Sequence, residues 1–205
     1  MTLTSEALLD ELDVRLPQAS ESWRSAALRQ IVDLFLAGAE VYVAEQVALF
    51  DEVIDRLMQN LDRAPLAELS NRLAPVDNAP VKALGRLARH GDITVCGPVL
   101  EQAAALPDAD LVAIADNDRI DARLLAKIAR REHLSAAVTD VLLRRGDKAL
   151  QRAIIDNPNA RVSETGFARV ITGLDGDKDL AAAIAARDDV PAELRPWLKR
   201  ALGEA

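Results

Sequence analysis

The chain has 205 residues, half of them hydrophobic but only 3% aromatic, and 33 Asp or Glu against 25 Lys or Arg give a formal net charge of −8. Ala (37 residues) and Leu (30 residues) dominate and β-branched residues form no alternating runs, which excludes a sheet protein and points to helices packed closely through small side chains. The acidic balance disfavours nucleic acid as a partner, and Cys96, the single cysteine, excludes an internal disulfide framework.

Residues 1–64 hold 12 Asp or Glu against 5 Arg, so this segment carries most of the net negative charge. Thr4 can cap a first helix that ends before Pro17, and Ser20 or Ser22 can cap a second. That second helix presents Leu28, Ile31, Phe35 and Ala39 on one face, with Gly38 as the place where it ends or bends. In a third helix Phe50, Val53, Ile54, Leu57, Met58 and Leu61 recur at three- and four-residue spacing opposite Asp51, Glu52, Asp55 and Arg56. A stripe this wide must pack against something. It is expected to make residues 1–64 an acidic N-terminal helical cap over the helices that follow, or else to join two copies as a homodimer.

The most apolar stretch, Ile31 to Phe50, is interrupted by Asp33, Glu40 and Glu45, so no membrane span is expected. The N-terminus MTLTSEALLDELD is acidic where a secretory signal is basic, and together with the lone cysteine this predicts a cytoplasmic protein.

Residues 65–205 read as an α-helical repeat. Pro80, Pro107, Ser135, Ser163 and Pro191 recur at spacings of 27, 28, 28 and 28 residues, and each is a residue suited to start a helix. About a dozen residues after the first four come Gly91-Asp92, Asn117-Asp118, Gly146-Asp147 and Gly176-Asp177, in which Gly or Asn closes one helix and Asp caps the next. The unit is helix, tight turn, helix. Its apolar positions pair across the turn: Leu84 and Leu87 with Val95 and Val99, Val138 and Leu142 with Leu150 and Ile154, Phe167, Val170 and Ile171 with Leu180 and Ile184. One such hairpin cannot bury its own face, so neighbours must share a core. Pro98 predicts a kink or early stop in the second helix of the first unit, and Trp197 is expected to seal the C-terminal end. The fold expected is all-α: an N-terminal helical segment followed by a short right-handed α-solenoid of HEAT-like helical hairpins.

Leu73-Ala74-Pro75 with Asn78-Ala79-Pro80, then Gly97-Pro98-Val99-Leu100, then Asn157-Pro158-Asn159-Ala160 leading to Ser163 and Phe167, resemble the bacterial family called domain of unknown function 2336, over roughly Ala39 to Pro191. The resemblance implies a fold similar to helical repeats of the HEAT and leucine-rich-variant type. It implies no activity and no catalytic residues.

The residues themselves suggest little chemistry. His90 and Cys96 straddle a turn at a spacing that fits no common zinc pattern, and His133 stands elsewhere, so no metal site and no cofactor are expected. No Ser has a strand-turn-helix setting with a nearby His, and Asp92, Asp147 and Asp177 are expected as caps, so no catalytic residue is assigned. Charge gives one lead: residues 119–169 hold 11 Arg or Lys against 6 Asp or Glu, with Arg130, Arg131, Arg144, Arg145, Lys148, Arg152 and Arg161 near hairpin ends. These cations either complement helix dipoles or form a patch for an acidic partner. The function expected is a non-enzymatic protein–protein interaction or scaffold module with a protein partner. The alternative is a regulatory module that binds a small nucleotide-like anion at the patch.

Overall fold

The computed structural model describes residues 5–145 and 147–204, so the expected cap Thr4 and turn residue Gly146 lie outside the described residues. Among these the chain is all-helical, with one isolated parallel bridge, Leu134 to Ala160. It divides into two compact units, Met1–Pro107 and Asp108–Ala205.

The first unit contains α1 (Ser5–Arg15), a 3-10 turn (Leu16–Gln18), α2 (Glu21–Gly38), α3 (Ala44–Leu57), α4 (Arg63–Leu73), α5 (Val81–Ala88) and α6 (Ile93–Gln102). The Ser20 hydroxyl accepts from the Trp23 N–H at 3.2 Å and so caps α2, which ends at Gly38 as the sequence predicts. The helices pack in two rows: α3 touches α1 and α5, while α4 touches α2 and α6. Phe35, Ile54, Leu57, Leu73, Leu84 and Val95 are fully buried between them, each contributing about 1.5–3 kcal/mol of apolar burial. The change in charge near residue 64 falls in the first turn of α4, whose packing on both α2 and α6 bridges it.

Two expectations for this unit are corrected. Asp51 is not on a solvent face; it is 7% exposed and reaches α5. Of the kink or early stop expected at Pro98, the early stop does not occur: α6 continues to Gln102, because only one ladder bond is lost while Val95, Cys96, Val99 and Leu100 are all buried.

The second unit contains α7 (Asp108–Ala115), α8 (Ala122–Ala129), α9 (Ala136–Arg144), α10 (Lys148–Asp156), α11 (Glu164–Thr172), α12 (Lys178–Ala185), a 3-10 turn (Ala192–Leu194) and α13 (Arg195–Leu202). Here α9 touches α7 and α11, α10 touches α8 and α12, and α13 closes on α12. Ser135, Ser163, Asp147 and Asp177 cap α9, α11, α10 and α12 through the N–H groups of Val138, Gly166, Ala149 and Leu180, as their spacing predicts. Gly176 takes the left-handed conformation, φ +84°, directly before the Asp177 cap.

Two further expectations shift. The cap of α8 is Asp121, which accepts from the Arg123 N–H at 2.8 Å, while Asn117 forms a local turn by accepting from the Arg119 N–H. Trp197 does not seal the end: it is 59% exposed, and the next residue, Leu198, is the buried one at 2%. With α13 starting at Arg195, after the 3-10 turn that Pro191 opens, the side that faces α12 belongs to Leu198.

Candidate functional site

The seven cations singled out by sequence do not converge. Three stand at the α9–α10 turn. Arg144 donates to Asp116 at 2.9 Å, Arg145 donates to Asp118 at 3.3 Å, and the Lys148 ammonium lies 3.9 Å from Asp175. Each therefore stitches its turn to the corresponding turn of a neighbouring helix pair. Arg152 is engaged along its own helix with Asp156 at 2.6 Å. The other three belong to the connections at the far end of the pairs. Arg130 is exposed at the end of α8, whereas Arg131 is buried, 7% exposed, with burial lowering its pKa and the Asp108 charge partly restoring it. Arg161 is exposed, but its backbone is held: its N–H donates to the Leu134 carbonyl at 2.8 Å and its carbonyl accepts from the Thr139 hydroxyl at 2.6 Å.

A residue that sequence reasoning missed organises that same end. The Arg187 guanidinium donates to the carbonyls of Ile155 (3.1 Å), Asn157 (2.8 Å) and Ala160 (2.6 Å) and to both oxygens of Asp189 (2.9 and 2.8 Å). All five of its N–H donors are used, and its plane lies 5.8 Å from the Phe167 ring centroid. Asn157 ties the preceding connection in the same way, donating to the Arg131 carbonyl at 2.8 Å. The available signal was periodicity, since Arg187 falls two of the predicted 28-residue periods after Arg131. A guanidinium so saturated has nothing left for a ligand.

Nucleophile and acid–base candidates are also structural. The Ser163 hydroxyl donates to Asp140 at 2.6 Å while it caps α11, an arrangement without a histidine. Cys96 is buried and its thiol is pushed up by desolvation, as expected of a core residue. His90 Nδ1 accepts from the Asp92 N–H at 3.0 Å, and Asp92 is held down to about 2, first by the Thr94 hydroxyl, then by the Thr94 N–H and the Arg63 guanidinium. Among the described residues no group of three His, Cys, Asp or Glu lies close enough to hold a metal ion, and no helix is long and apolar enough to cross a membrane.

An apolar opening lies in the first unit. Leu12 of α1, Ile31 and Leu34 of α2, and Leu49, Phe50 and Val53 of α3 line a cavity of about 330 Å³, with no polar side chain in its wall. Leu34 is 57% exposed at its mouth.

Among the described residues the chain is all-α, and within the second unit neighbouring helix pairs are tied to one another by backbone-directed polar contacts. Over residues 95–205, just over half of the chain, it matches the family described as "Uncharacterised protein conserved in bacteria (DUF2336)", and the chain belongs to that family. The matched region takes in Gly97–Leu100 and Asn157–Ala160 and leaves out Leu73-Ala74-Pro75 and Asn78-Ala79-Pro80. No curated protein and no solved structure matches the chain significantly.

Proposed function

We propose that this chain is a non-enzymatic interaction or scaffold module of the cytoplasm, whose helix pairs stack within each unit as a short right-handed, HEAT-like α-solenoid and offer a ridged outer surface to a protein partner. The observation that carries the reading is the two-row packing, in which α9 lies between α7 and α11 while α10 lies between α8 and α12. Each helix spends its apolar stripe on its counterparts, and the remaining faces are free for a partner. The stitching of Arg144, Arg145 and Arg152 to carboxylates supports it further, because cations already neutralised make a poor anion site.

The alternative, a module that binds a small nucleotide-like anion, rests on Arg130 and Arg161, which are exposed and have no ion pair among the described residues. Two measurements separate these readings. Affinity capture with the full chain should recover a stoichiometric protein partner, and a panel of nucleotides should leave the melting temperature unchanged, since a ligand specific to the folded state must raise it. No partner together with a nucleotide-dependent rise would reject the interaction reading. A homodimer through the N-terminal helices is a narrower form of the same reading, and sedimentation equilibrium decides it.

A further inference from the structure

The helices of the first unit are not held equally. Phe35 on α2 and Ile54 and Leu57 on α3 are completely buried. None of the α1 side chains from Leu9 to Arg15 is buried: Leu9 and Leu12 are half-buried, and Val14 is 73% exposed. Among the described residues the contact of Asp13 with Arg56, at 2.7 Å, is the one hydrogen bond that joins α1 to another helix, and its carboxylate is open to water, where such a pair contributes little. A segment with few buried apolar contacts and solvent-exposed polar ties opens before the rest of the fold does.

Helix α1 nonetheless covers something. Leu12 is its part of the cavity wall, and the other lining residues, Ile31, Leu34, Leu49, Phe50 and Val53, belong to α2 and α3. Those two helices are fastened to each other without α1: the Phe50 ring lies 5.3 Å from that of Phe35 and 5.1 Å from that of Tyr42, and the Tyr42 hydroxyl donates to the Leu34 carbonyl at 3.1 Å. The start of α2 is independent as well, because its Ser20 cap lies beyond the 3-10 turn that joins α1 to it. Pro17 in that turn has no N–H to give, and the Ala19 N–H closes the turn on the Leu16 carbonyl at 3.2 Å. A swing at residues 16–19 therefore disturbs neither α2 nor its pairing with α3. We propose that α1 is a hinged lid, latched by Asp13 and Arg56, which opens while α2 and α3 stay folded and turns the cavity into an exposed apolar groove between them. Access to the groove is then set by the equilibrium of the lid. The motion lies within the first unit, so it stands apart from the interaction reading.

The test uses the full chain. Hydrogen exchange followed by mass spectrometry should show the α1 amides exchanging at least about tenfold faster than those in the middle of α2 and α3. Equal exchange would make α1 part of the common core and overturn the proposal. Fast exchange alone also describes a fraying end, so a thiol is placed in the groove wall. In Val53→Cys the rate of labelling by an aromatic disulfide reagent reports how often the wall is uncovered, and the native Cys96 is buried. Asp13→Ala removes the latch at an exposed position and should raise both α1 exchange and Val53→Cys labelling by the same factor, about two- to fivefold. Leu12→Ala, which takes away the lid's apolar contact, should act in the same direction. If Val53→Cys lowers the melting temperature, Leu49→Cys on the same wall takes its place. Exchange that rises without labelling would mean that α1 frays without uncovering the groove, and would overturn the lid. Rates that neither substitution moves would overturn it too, because the latch and the contact of Leu12 would then hold nothing closed.

Discussion

Asp51 on α3 caps helix α5, with one carboxylate oxygen accepting from the Ala83 N–H at 2.9 Å and the other from the Lys82 N–H at 2.8 Å. Helix α5 needs a cap from outside because its own first position is Pro80, which has no side-chain acceptor. The buried charge is also placed at the positive end of the helix dipole. Around it the two helices are paired by charge: Glu52 with Lys82, and Asp55 with Arg86 at 2.7 Å.

Replacing Asp51 by Ala orphans two backbone donors, one of them fully buried, and should cost about 1–3 kcal/mol of unfolding free energy. Asp51→Asn retains a single acceptor oxygen and should lie between the wild type and Asp51→Ala in urea denaturation. Equal stability of Asp51→Ala and the wild type would mean that the α3–α5 contact is held by its apolar side chains alone.

Arg187 supports a second comparison. Lys cannot span three carbonyls and a carboxylate at once, so Arg187→Lys should destabilise by about 2 kcal/mol or more through acceptors left unpaired. The exposed Arg130→Ala should stay within about 0.5 kcal/mol. Thermal melts of the two variants side by side provide the check, and similar losses in both would refute the distinction between a saturated and a free guanidinium.

The helix caps of the second unit were legible because a cap is a local event. Ser135, Ser163, Asp147 and Asp177 accept from N–H groups two or three residues on, and the residue type at that offset announces it. Asp51 and Arg187 were not legible, because each acts on backbone 27 to 32 residues away, and periodicity gives the face of a helix but not what crosses to its neighbour. The register of the α7–α8 turn was missed for a related reason: Asn117, Asp118 and Asp121 are all competent turn or cap residues, and only packing selects Asp121. The basic cluster failed as a single site because residues close in sequence were assigned to opposite ends of the same helix pair, and because their carboxylate partners lie one period away.

The C-terminal end offers a contrast between adjacent residues. Trp197 is 59% exposed with Arg200 stacked 5.6 Å from its ring, whereas Leu198 is 2% exposed against α12. Trp197→Ala should therefore change stability by less than about 0.5 kcal/mol, while Leu198→Ala should cost about 2–5 kcal/mol. A large loss in the tryptophan variant would restore its role as the seal of that end.

The last prediction concerns acid. The Asp92 carboxyl is depressed from 3.8 to about 2 because its ionised form accepts from the Thr94 hydroxyl and the Thr94 N–H while Arg63 lies 3.2 Å away. A depressed carboxylate adds stability that is fully present above its unfolded value and is lost as the pH falls through its folded value. The capped start of α6 should thus persist through pH 4 and weaken only toward pH 2. Thr94→Val removes the first of the three supports and leaves the N–H, so the Asp92 midpoint, followed by carbon-detected NMR, should rise from about 2 toward 3.8 with the helix intact. An unmoved midpoint would leave the depression to the Thr94 N–H and Arg63, and Arg63→Gln would then tell those two apart.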